Sequence, residues 1–123
     1  MIPIVLVVDD ERDVLNVFSE MLKLIGFKVY AVDNTADALN IMNDSKFDLI
    51  ITDLIMPDMN GLDFIKQLRK RGNNAPVVIT SGLNPKKVMI NLNEYGISEY
   101  IVKPFTINDI KQKLSKLMQI QPA

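Results

Sequence analysis

The sequence predicts a single α/β domain, a parallel sheet of five strands with helices wound over both of its faces. Short apolar runs alternate with amphipathic stretches five times, which is the pattern of successive strand–helix units. The first run, residues 4–8, is continuous and rich in valine, as is typical of a strand buried on both faces of a parallel sheet. With 123 residues, 48% of them hydrophobic, the chain can enclose one core. We expect one domain over residues 1–123, with its core at about 4–117.

The remaining elements follow the same alternation. Further strands are expected where apolar runs of strand length recur, at 28–32, 48–52, 76–80 and 98–102. Five helices are expected between the strands and after the last one, where apolar residues recur at three- and four-residue spacing. These residues are Val14, Leu15, Phe18, Leu22 and Ile25 in the first helix, Ala38, Leu39 and Met42 in the second, Leu62, Ile65 and Leu68 in the third, Val88, Met89 and Leu92 in the fourth, and Ile107, Ile110, Leu114 and Leu117 in the fifth.

Start and stop signals support these boundaries. Gly26 is a natural end for the first helix. Asn84-Pro85 resembles a capping residue followed by proline at the first helical position. Thr106, with Asp109 three residues later, resembles a capping box that opens the last helix.

The composition excludes several kinds of chemistry. The chain has no cysteine and no histidine, so thiolate or imidazole metal sites and Ser–His catalysis are excluded. The formal net charge of −1 offers no basic field for nucleic acid, and we interpret Lys111, Lys113 and Lys116 as a solvated helix face. The start lacks the features of a signal peptide, and no apolar run is long enough to span a bilayer. We therefore expect a cytoplasmic protein that binds neither nucleic acid nor membrane through this domain.

Polar residues occur at the ends of four of the five predicted strands. Asp9 and Asp10 follow the first strand, and Asp53 follows the third. Thr80 ends the fourth strand, and Lys103 follows the fifth. Taken alone, each is more often a turn, capping or strand residue than a functional one. The carboxyl ends of parallel strands share one edge of the sheet, however, and sites form there in this class of fold. Independent turn residues have no reason to converge on one edge, so the sequence predicts a site.

The three aspartates point to the chemistry of that site. Asp9, Asp10 and Asp53 are expected within several ångströms of one another, and their mutual repulsion calls for cations. Lys103 supplies one, and oxygen-only ligands favour Mg²⁺ as the second. A carboxylate is already ionised at neutral pH and can itself attack phosphorus. Asp53 is therefore a candidate nucleophile for a phosphoryl group, with no need of a histidine base.

Four segments at these strand ends resemble the response-regulator receiver domains of two-component signal transduction, the chemotaxis regulators among them. They are Val8-Asp9-Asp10-Glu11, Asp53-Leu54-Ile55-Met56-Pro57 with Gly61, Ile79-Thr80-Ser81-Gly82 and Tyr100-Ile101-Val102-Lys103-Pro104-Phe105. Each segment alone is a weak signal, but all four in this order and spacing form a specific signature over residues 4–117. The resemblance implies a flavodoxin-like sheet with strand order 2-1-3-4-5.

The resemblance also implies which residues hold the metal and the phosphoryl group. Asp9 and Asp10 are then the acidic pair that holds Mg²⁺, directly or through water. Asp53 is the phospho-acceptor and a further metal ligand, and the backbone carbonyl of Ile55 is another. Lys103 pairs with the phosphoryl oxygens, and in this family its bond to the following proline is typically cis.

Two further residues are implied to form the switch. Thr80 supplies a hydroxyl that moves to bind the phosphoryl group, and Tyr100 is the aromatic residue that turns inward when Thr80 moves. Without the resemblance, Tyr100 reads as a half-buried aromatic at the sheet edge. Ile97 stands where the family usually has alanine, which is expected to alter packing below the output surface.

The resemblance implies partners as well. A sensor histidine kinase or a phosphotransfer protein is expected to donate the phosphoryl group, docking against the first helix. An unknown downstream partner is expected at the face formed by the fourth helix, the fifth strand and the fifth helix. The chain is expected to phosphorylate and dephosphorylate only itself, without turnover on external substrates. No effector domain is found in 123 residues, so the chain is either a stand-alone regulator or a receiver from a longer protein.

Two side chains beside the site predict a long-lived phosphoryl group. Ile55 and Gly82 occupy positions where some relatives carry polar groups that orient an attacking water. Neither side chain can form a hydrogen bond, so water must be positioned by solvent alone.

Three alternative functions are less well supported. A Mg²⁺-dependent phosphohydrolase usually has an acid–base carboxylate two residues after its nucleophilic aspartate, where this chain has Ile55. A degenerate receiver that acts only as a binding module normally lacks Asp10, Asp53 or Lys103, and all three are present. A flavin-binding protein of similar topology needs a phosphate-binding loop rich in glycine and hydroxyl groups after the first strand, which is absent from the sequence.

Overall fold

The computed structural model describes residues 2–84 and 95–118. Its strands are β1 (Ile4–Val8), β2 (Lys28–Val32), β3 (Leu49–Asp53), β4 (Val77–Ser81) and β5 (Ile97–Val102). Its helices are α1 (Arg12–Ile25), α2 (Thr35–Asp44), α3 (Gly61–Lys70) and, after β5, α4 (Ile107–Met118). The helix predicted around Val88, Met89 and Leu92 falls at 85–94, outside the described residues, so α4 is the fifth helix of the prediction.

The five strands form one parallel sheet in the order β2-β1-β3-β4-β5, which confirms the predicted topology. The strand order reverses beside β1, because the chain passes from β2 back across β1 to reach β3. The register pairs Val8 with Thr52, Asp53 with Thr80, and Ser81 with Val102. Four strands therefore end at the same level, and the residues at their carboxyl ends meet at one edge.

Helices cover both faces of the sheet, and the alternation of side chains along each strand supplies two separate cores. The core on the α2 and α3 side includes Leu6, Ile50 and Ile79 from the strands. The core on the α1 and α4 side contains their neighbours in sequence, Val7, Ile51 and Val78, together with Phe18, Leu22, Ile110 and Leu114 from the two helices. Asp53 and Thr80 have the same parity as Ile51 and Val78, so they lie on the α1 and α4 side.

Strand boundaries differ from the prediction by one residue in three of five cases. β3 and β4 begin and end one residue later than predicted, and β5 begins one residue earlier. Asp48 lies directly before β3, and its carboxylate accepts a hydrogen bond from the backbone N–H of Ile4, at 2.8 Å. Asp53 is the last residue of its strand, where it pairs with Thr80 of β4.

The helix ends follow the capping signals. Gly26 has φ 123° and donates its N–H to the carbonyls of Leu22 and Lys23, so a glycine is required where α1 ends. Thr106 and Asp109 form the predicted reciprocal capping box, at 2.8 and 3.2 Å. No described helix is long and apolar enough to cross a membrane.

One expectation about α4 requires correction. Lys113 was expected on a solvated face, but its ammonium donates to the carbonyl of Tyr100 at 2.7 Å and to the Glu99 carboxylate at 3.3 Å. Among the described residues β5 is an edge strand of the sheet, so its outer backbone groups are open to hydrogen bonds from side chains. Lys113 therefore ties α4 to β5.

Candidate functional site

The carboxyl edge of the sheet brings the three predicted aspartates together. Ligand oxygens of Asp9, Asp10 and Asp53 all lie within 4.8 Å of one another. Asp9 follows β1 directly, and its backbone N–H donates to the carbonyl of Val32 at 3.2 Å, which extends the sheet by one residue. Asp9 and Asp53 are buried, whereas Asp10 is exposed. The sequence predicts Asp9 and Asp10 as an equivalent pair, and their difference in exposure is seen only in the structure.

Lys103 lies between the two buried aspartates. Its Nζ is 2.8 Å from Asp9 Oδ2 and 3.2 Å from Asp53 Oδ2. The backbone N–H of Lys103 donates to the carbonyl of Ser81 at 2.8 Å, so the pairing of β4 with β5 fixes where the side chain starts. The bond from Lys103 to Pro104 is cis, as the resemblance implies.

Burial and charge shift the pKa values of this cluster. Burial raises the pKa of Asp53 above its usual range, and the charge of Asp9 adds to the effect. The charge of Lys103 and a hydrogen bond from the Ile55 N–H oppose it. Burial lowers the pKa of Lys103, but the hydrogen bond with Asp9 and the charges of both buried aspartates outweigh it and raise that pKa overall. The protein's own groups therefore compensate only in part for the free-energy cost of burying an ionised Asp53.

The donor set suits a hard divalent cation. Three carboxylates face one ammonium, so the ionised cluster carries excess negative charge. Asp9 is held in place because its Oδ1 accepts the N–H of Glu11 at 2.9 Å while its Oδ2 accepts from Lys103. Oxygen ligands alone, with exposed Asp10 open to solvent, match Mg²⁺, which retains several of its waters. The residues present fit the metal that the sequence predicted.

The loop after Asp53 turns sharply and returns to its own start. The N–H of Gly61 donates to the carbonyl of Leu54 at 2.7 Å. A Cβ at position 61 would lie 2.5 Å from the carbonyl oxygen of Asp53, so only glycine permits this approach. Leu54 and Met56 are buried, whereas Ile55 between them is 60% exposed. The side chain of Ile55 therefore projects into solvent beside the site.

The two residues predicted to form the switch are both buried. Thr80 is next to Asp53 in the register of β3 and β4 and is 1% exposed. Tyr100 is 4% exposed, and its hydroxyl donates to the carbonyl of Leu83 at 3.0 Å. The ring thus lies inside the protein in this structure, in the same core cluster as Ile97. It is more deeply buried than the sheet-edge aromatic residue expected without the resemblance.

A cleft of about 860 Å³ opens from the acidic cluster along α1. Asp10, Asp53 and Lys103 line its polar end. Its apolar lining includes Val14, Val17, Met21, Ile55, Leu83 and Phe105. The site is thus accessible from the surface and is bordered by an apolar wall.

Sequence reasoning missed one contact near the site. Asp58, in the loop after β3, accepts hydrogen bonds from Thr35 at the start of α2. Both residue types are typical of turns and helix starts, so a local signal was present in each segment. No spacing rule pairs two residues 23 positions apart, and the contact emerges only when the loop and the helix fold together.

Comparisons with known proteins agree with this geometry. A family model described as the response regulator receiver domain matches residues 5–115. Transcriptional regulatory protein PrrA of Mycobacterium tuberculosis is 32% identical over 117 residues, which cover 95% of this chain and 50% of PrrA. DNA-binding transcriptional regulator NtrC of Azospirillum brasilense is 33% identical over 106 residues, which cover 86% of this chain and 22% of NtrC. The chain thus spans half or less of the length of these two relatives.

Solved structures with the same fold cover nearly the whole chain. Response regulator protein TrrA of Thermotoga maritima, in complex with Mg²⁺-BeF, superposes with a TM-score of 0.83 at 28% identity, covering 95% of this chain and 100% of TrrA. Chemotaxis response regulator CheY4 of Vibrio cholerae gives a TM-score of 0.84 at 27% identity, covering 98% of this chain and 100% of CheY4. The similarity extends over the sheet, the helices and the edge that carries the acidic cluster.

Proposed function

Because this chain belongs to the response regulator receiver domain family, whose members are signalling switches, we propose that Asp53 accepts a phosphoryl group in a Mg²⁺-dependent reaction. The observation that carries the proposal is the position of the Asp53 carboxylate. It is buried at the end of β3, within 3.2 Å of the Lys103 ammonium and within a cluster of three carboxylates. This arrangement suits a nucleophile that carries more negative charge after it is phosphorylated than before.

The proposed reaction requires few groups from the protein. A carboxylate oxygen of Asp53 forms a bond to phosphorus, while the bond from phosphorus to the donor's imidazole nitrogen breaks. Lys103 would donate hydrogen bonds to the phosphoryl oxygens, where negative charge accumulates in the transition state. Because the nucleophile is already ionised, no base is required.

Asp9, Asp10, Asp53 and the backbone carbonyl of Ile55 are the groups that would hold Mg²⁺. When bound there, Mg²⁺ would neutralise charge on the carboxylates and on the phosphoryl oxygens. The complex of TrrA with Mg²⁺-BeF supports this assignment by similarity. Within this chain, support comes from the incomplete compensation of Asp53 described above.

The phosphoryl donor is proposed to be a sensor histidine kinase or a histidine phosphotransfer protein. The cleft beside Asp53 has an apolar wall formed by Val14 and Val17 of α1 and by Phe105 after β5. Val17 is 54% exposed, so this wall offers apolar area for a partner helix. A donor docked there would bring its phosphohistidine to the polar end of the cleft.

Phosphorylation is proposed to alter the surface around Tyr100. A phosphoryl group on Asp53 presents new acceptors to the Thr80 hydroxyl and to Lys103. Thr80 is followed by the loop that contains Leu83, whose carbonyl accepts the Tyr100 hydroxyl. A shift of this loop would change that hydrogen bond and the face formed by β5, α4 and the segment between β4 and β5. The downstream partner at that face is not identified by the sequence.

Labelling with a small phosphodonor tests the proposal. Wild-type protein incubated with acetyl phosphate and Mg²⁺ is expected to gain one phosphoryl group per chain by mass spectrometry. Asp53→Asn and excess chelator should each abolish the mass shift. Asp48→Asn, which alters the aspartate directly before β3 and leaves the acidic cluster intact, serves as the matched control and should label normally. Full labelling of Asp53→Asn would refute the proposal, and many turnovers on simple phosphate esters would indicate a phosphohydrolase instead.

A further inference from the structure

The loop between β3 and α3, residues 54–60, is bound at both of its ends. At its start, the N–H of Leu54 donates to the carbonyl of Thr80 at 3.0 Å. At its end, the N–H of Gly61 returns to the carbonyl of Leu54 at 2.7 Å. Between them, the N–H of Ile55 donates to the carboxylate of Asp53. This short segment therefore presents its backbone directly to the proposed phospho-acceptor.

A further contact holds the middle of the loop to α2. Asp58 Oδ2 accepts hydrogen bonds from the Thr35 hydroxyl at 2.7 Å and from the Thr35 backbone N–H at 3.0 Å. The N–H of Ala36 also donates to this carboxylate. Thr35 is the first residue of α2 and is 2% exposed, so the contact is anchored in the interior at one end.

Asp58 thus caps a helix to which it is not joined in sequence. The first turn of α2 also has a local cap, Asn34, whose Oδ1 accepts the N–H of Asp37 at 2.7 Å. Asn34 leaves the N–H groups of Thr35 and Ala36 to Asp58. A carboxylate at a helix start interacts favourably with the helix dipole and forms strong hydrogen bonds with N–H donors. Although partial burial opposes ionisation, the hydrogen bonds from Thr35 and Ala36 hold the pKa of Asp58 below its usual value.

We propose that Asp58 and Thr35 form a positioning pair that fixes the loop carrying Ile55 against Asp53, and thereby sets the Mg²⁺ affinity of the acidic cluster. The inference rests on the proposed function and adds a residue pair that contacts neither the metal nor the phosphoryl group. Without the Asp58 contact, the segment from Ile55 to Asn60 keeps its two ends, the buried side chain of Met56 and the partly buried side chain of Met59, but loses its tie to α2. The backbone of Ile55 then samples several positions relative to Asp53.

Calorimetric Mg²⁺ titration of four variants tests this inference. Asp58→Ala should raise the Mg²⁺ Kd roughly tenfold, the size of effect typical when a group that orients metal ligands is removed. Thr35→Val replaces the hydroxyl with a methyl group of similar size but keeps the N–H, so a smaller increase is expected. Thr35→Ser keeps the hydroxyl, so its Mg²⁺ Kd should equal that of the wild type.

Asp37→Asn is the matched control, because it removes a carboxylate from the same helix start without touching the loop. It should leave the Mg²⁺ Kd unchanged, and an increase equal to that of Asp58→Ala would show that charge alone is responsible and overturn the inference. Thermal unfolding of each variant separates positioning from stability, because a structural contact alone would lower Tm without changing the Kd of the folded protein. If Asp58→Ala does not fold, the difference in Mg²⁺ Kd between Thr35→Val and Thr35→Ser tests the inference instead.

The outcomes separate the inference from the proposed function. If the wild type binds Mg²⁺ and labels at Asp53, but Asp58→Ala and Thr35→Val keep the wild-type Kd, only the positioning role is wrong. If the wild type neither binds Mg²⁺ nor labels, the proposed function fails and the inference falls with it.

Discussion

In the described part of the chain, a partly buried cation lies at each end of the sheet, and the two are stabilised in opposite ways. At the carboxyl edge, Lys103 lies between the carboxylates of Asp9 and Asp53, at 2.8 and 3.2 Å. Carboxylate oxygens can accept further ligands, such as a metal ion. The ionised cluster still carries excess negative charge, so this end has unused capacity to bind a further cation or a phosphoryl group.

At the amino edge, the guanidinium of Arg69 is held by neutral backbone groups. Its nitrogens donate to four carbonyl oxygens, those of Asn73 at 3.0 Å, Ala75 at 2.8 Å, Gly96 at 3.1 Å and Tyr95 at 3.5 Å. Burial lowers the pKa of Arg69 from its usual value, yet an arginine remains charged. Fixed dipoles around a permanent charge join α3 to the strand starts of β4 and β5. The comparison indicates that the excess negative charge at the carboxyl edge can bind a ligand. The Arg69 charge, which backbone carbonyls already match, instead stabilises the packing of α3 against the sheet.

Replacing Lys103 should have the largest effect on chemistry. We expect Lys103→Met to lower the rate of labelling by acetyl phosphate about 100-fold, because a donor to the transferring oxygens is lost. In chelator, the variant should also lose about 3 kcal/mol of unfolding free energy, because Asp9 and Asp53 lose their counter-charge. Mg²⁺ should recover part of that loss. Urea unfolding with and without Mg²⁺ measures it, and Lys116→Met, an exposed lysine of α4, should leave both quantities unchanged.

Replacing Arg69 should affect stability and leave the chemistry intact. Arg69→Met deprives several carbonyls of their donor, so we expect a loss of about 2–3 kcal/mol in unfolding free energy, independent of Mg²⁺. The folded protein should still label at the wild-type rate. Arg71→Met is the matched control, since the Arg71 side chain forms an exposed hydrogen bond to Asn43 within the described part of the chain. A labelling defect in folded Arg69→Met would contradict the division between the two ends.

Polar side chains beside Asp53 should shorten the lifetime of the phosphoryl group. We expect Ile55→Asn together with Gly82→Glu to accelerate dephosphorylation roughly tenfold, because each new side chain can orient an attacking water. The structure accommodates both changes, since Ile55 is exposed and a Cβ at Gly82 meets nothing within 4 Å. Loss of label over time, measured after removal of the donor, provides the test. An unchanged or slower decay would mean that these positions do not control lifetime here.

The smallest expected effect is on the pH dependence of stability without metal. Because burial raises the pKa of Asp53 in the folded protein, the folded state binds this proton more tightly than the unfolded state. This contribution to the free energy of unfolding is fully present below the pKa that Asp53 has in the unfolded chain. It is lost as pH rises through the higher pKa that Asp53 has in the folded protein. Asp53→Asn removes the effect, so the variant should become more stable than the wild type as pH rises through that window in chelator. Urea unfolding from about pH 3 to pH 7 measures the difference, and parallel curves would contradict it.

The fold was predictable because its signals are local. Strand runs, helical spacing and caps lie within a few residues of one another, and the register of a parallel sheet then fixes which strand ends meet. Three strand boundaries differed from the prediction by one residue, as at Asp48, which lies just before β3 and is hydrogen-bonded to Ile4. The helix predicted at 85–94 lies outside the described residues and stays a prediction.

The candidate site was predictable in its members but not in their environments. The sequence alone determined that Asp9, Asp10, Asp53 and Lys103 share one edge, because parallel strands leave no other arrangement. Only the tertiary structure decided that Asp9 is buried and Asp10 exposed, and that Lys113 pairs with β5. The same holds for the tie from Asp58 to Thr35 and for the carbonyls around Arg69. These properties depend on burial and on contacts between residues distant in sequence, and neither is encoded in local spacing.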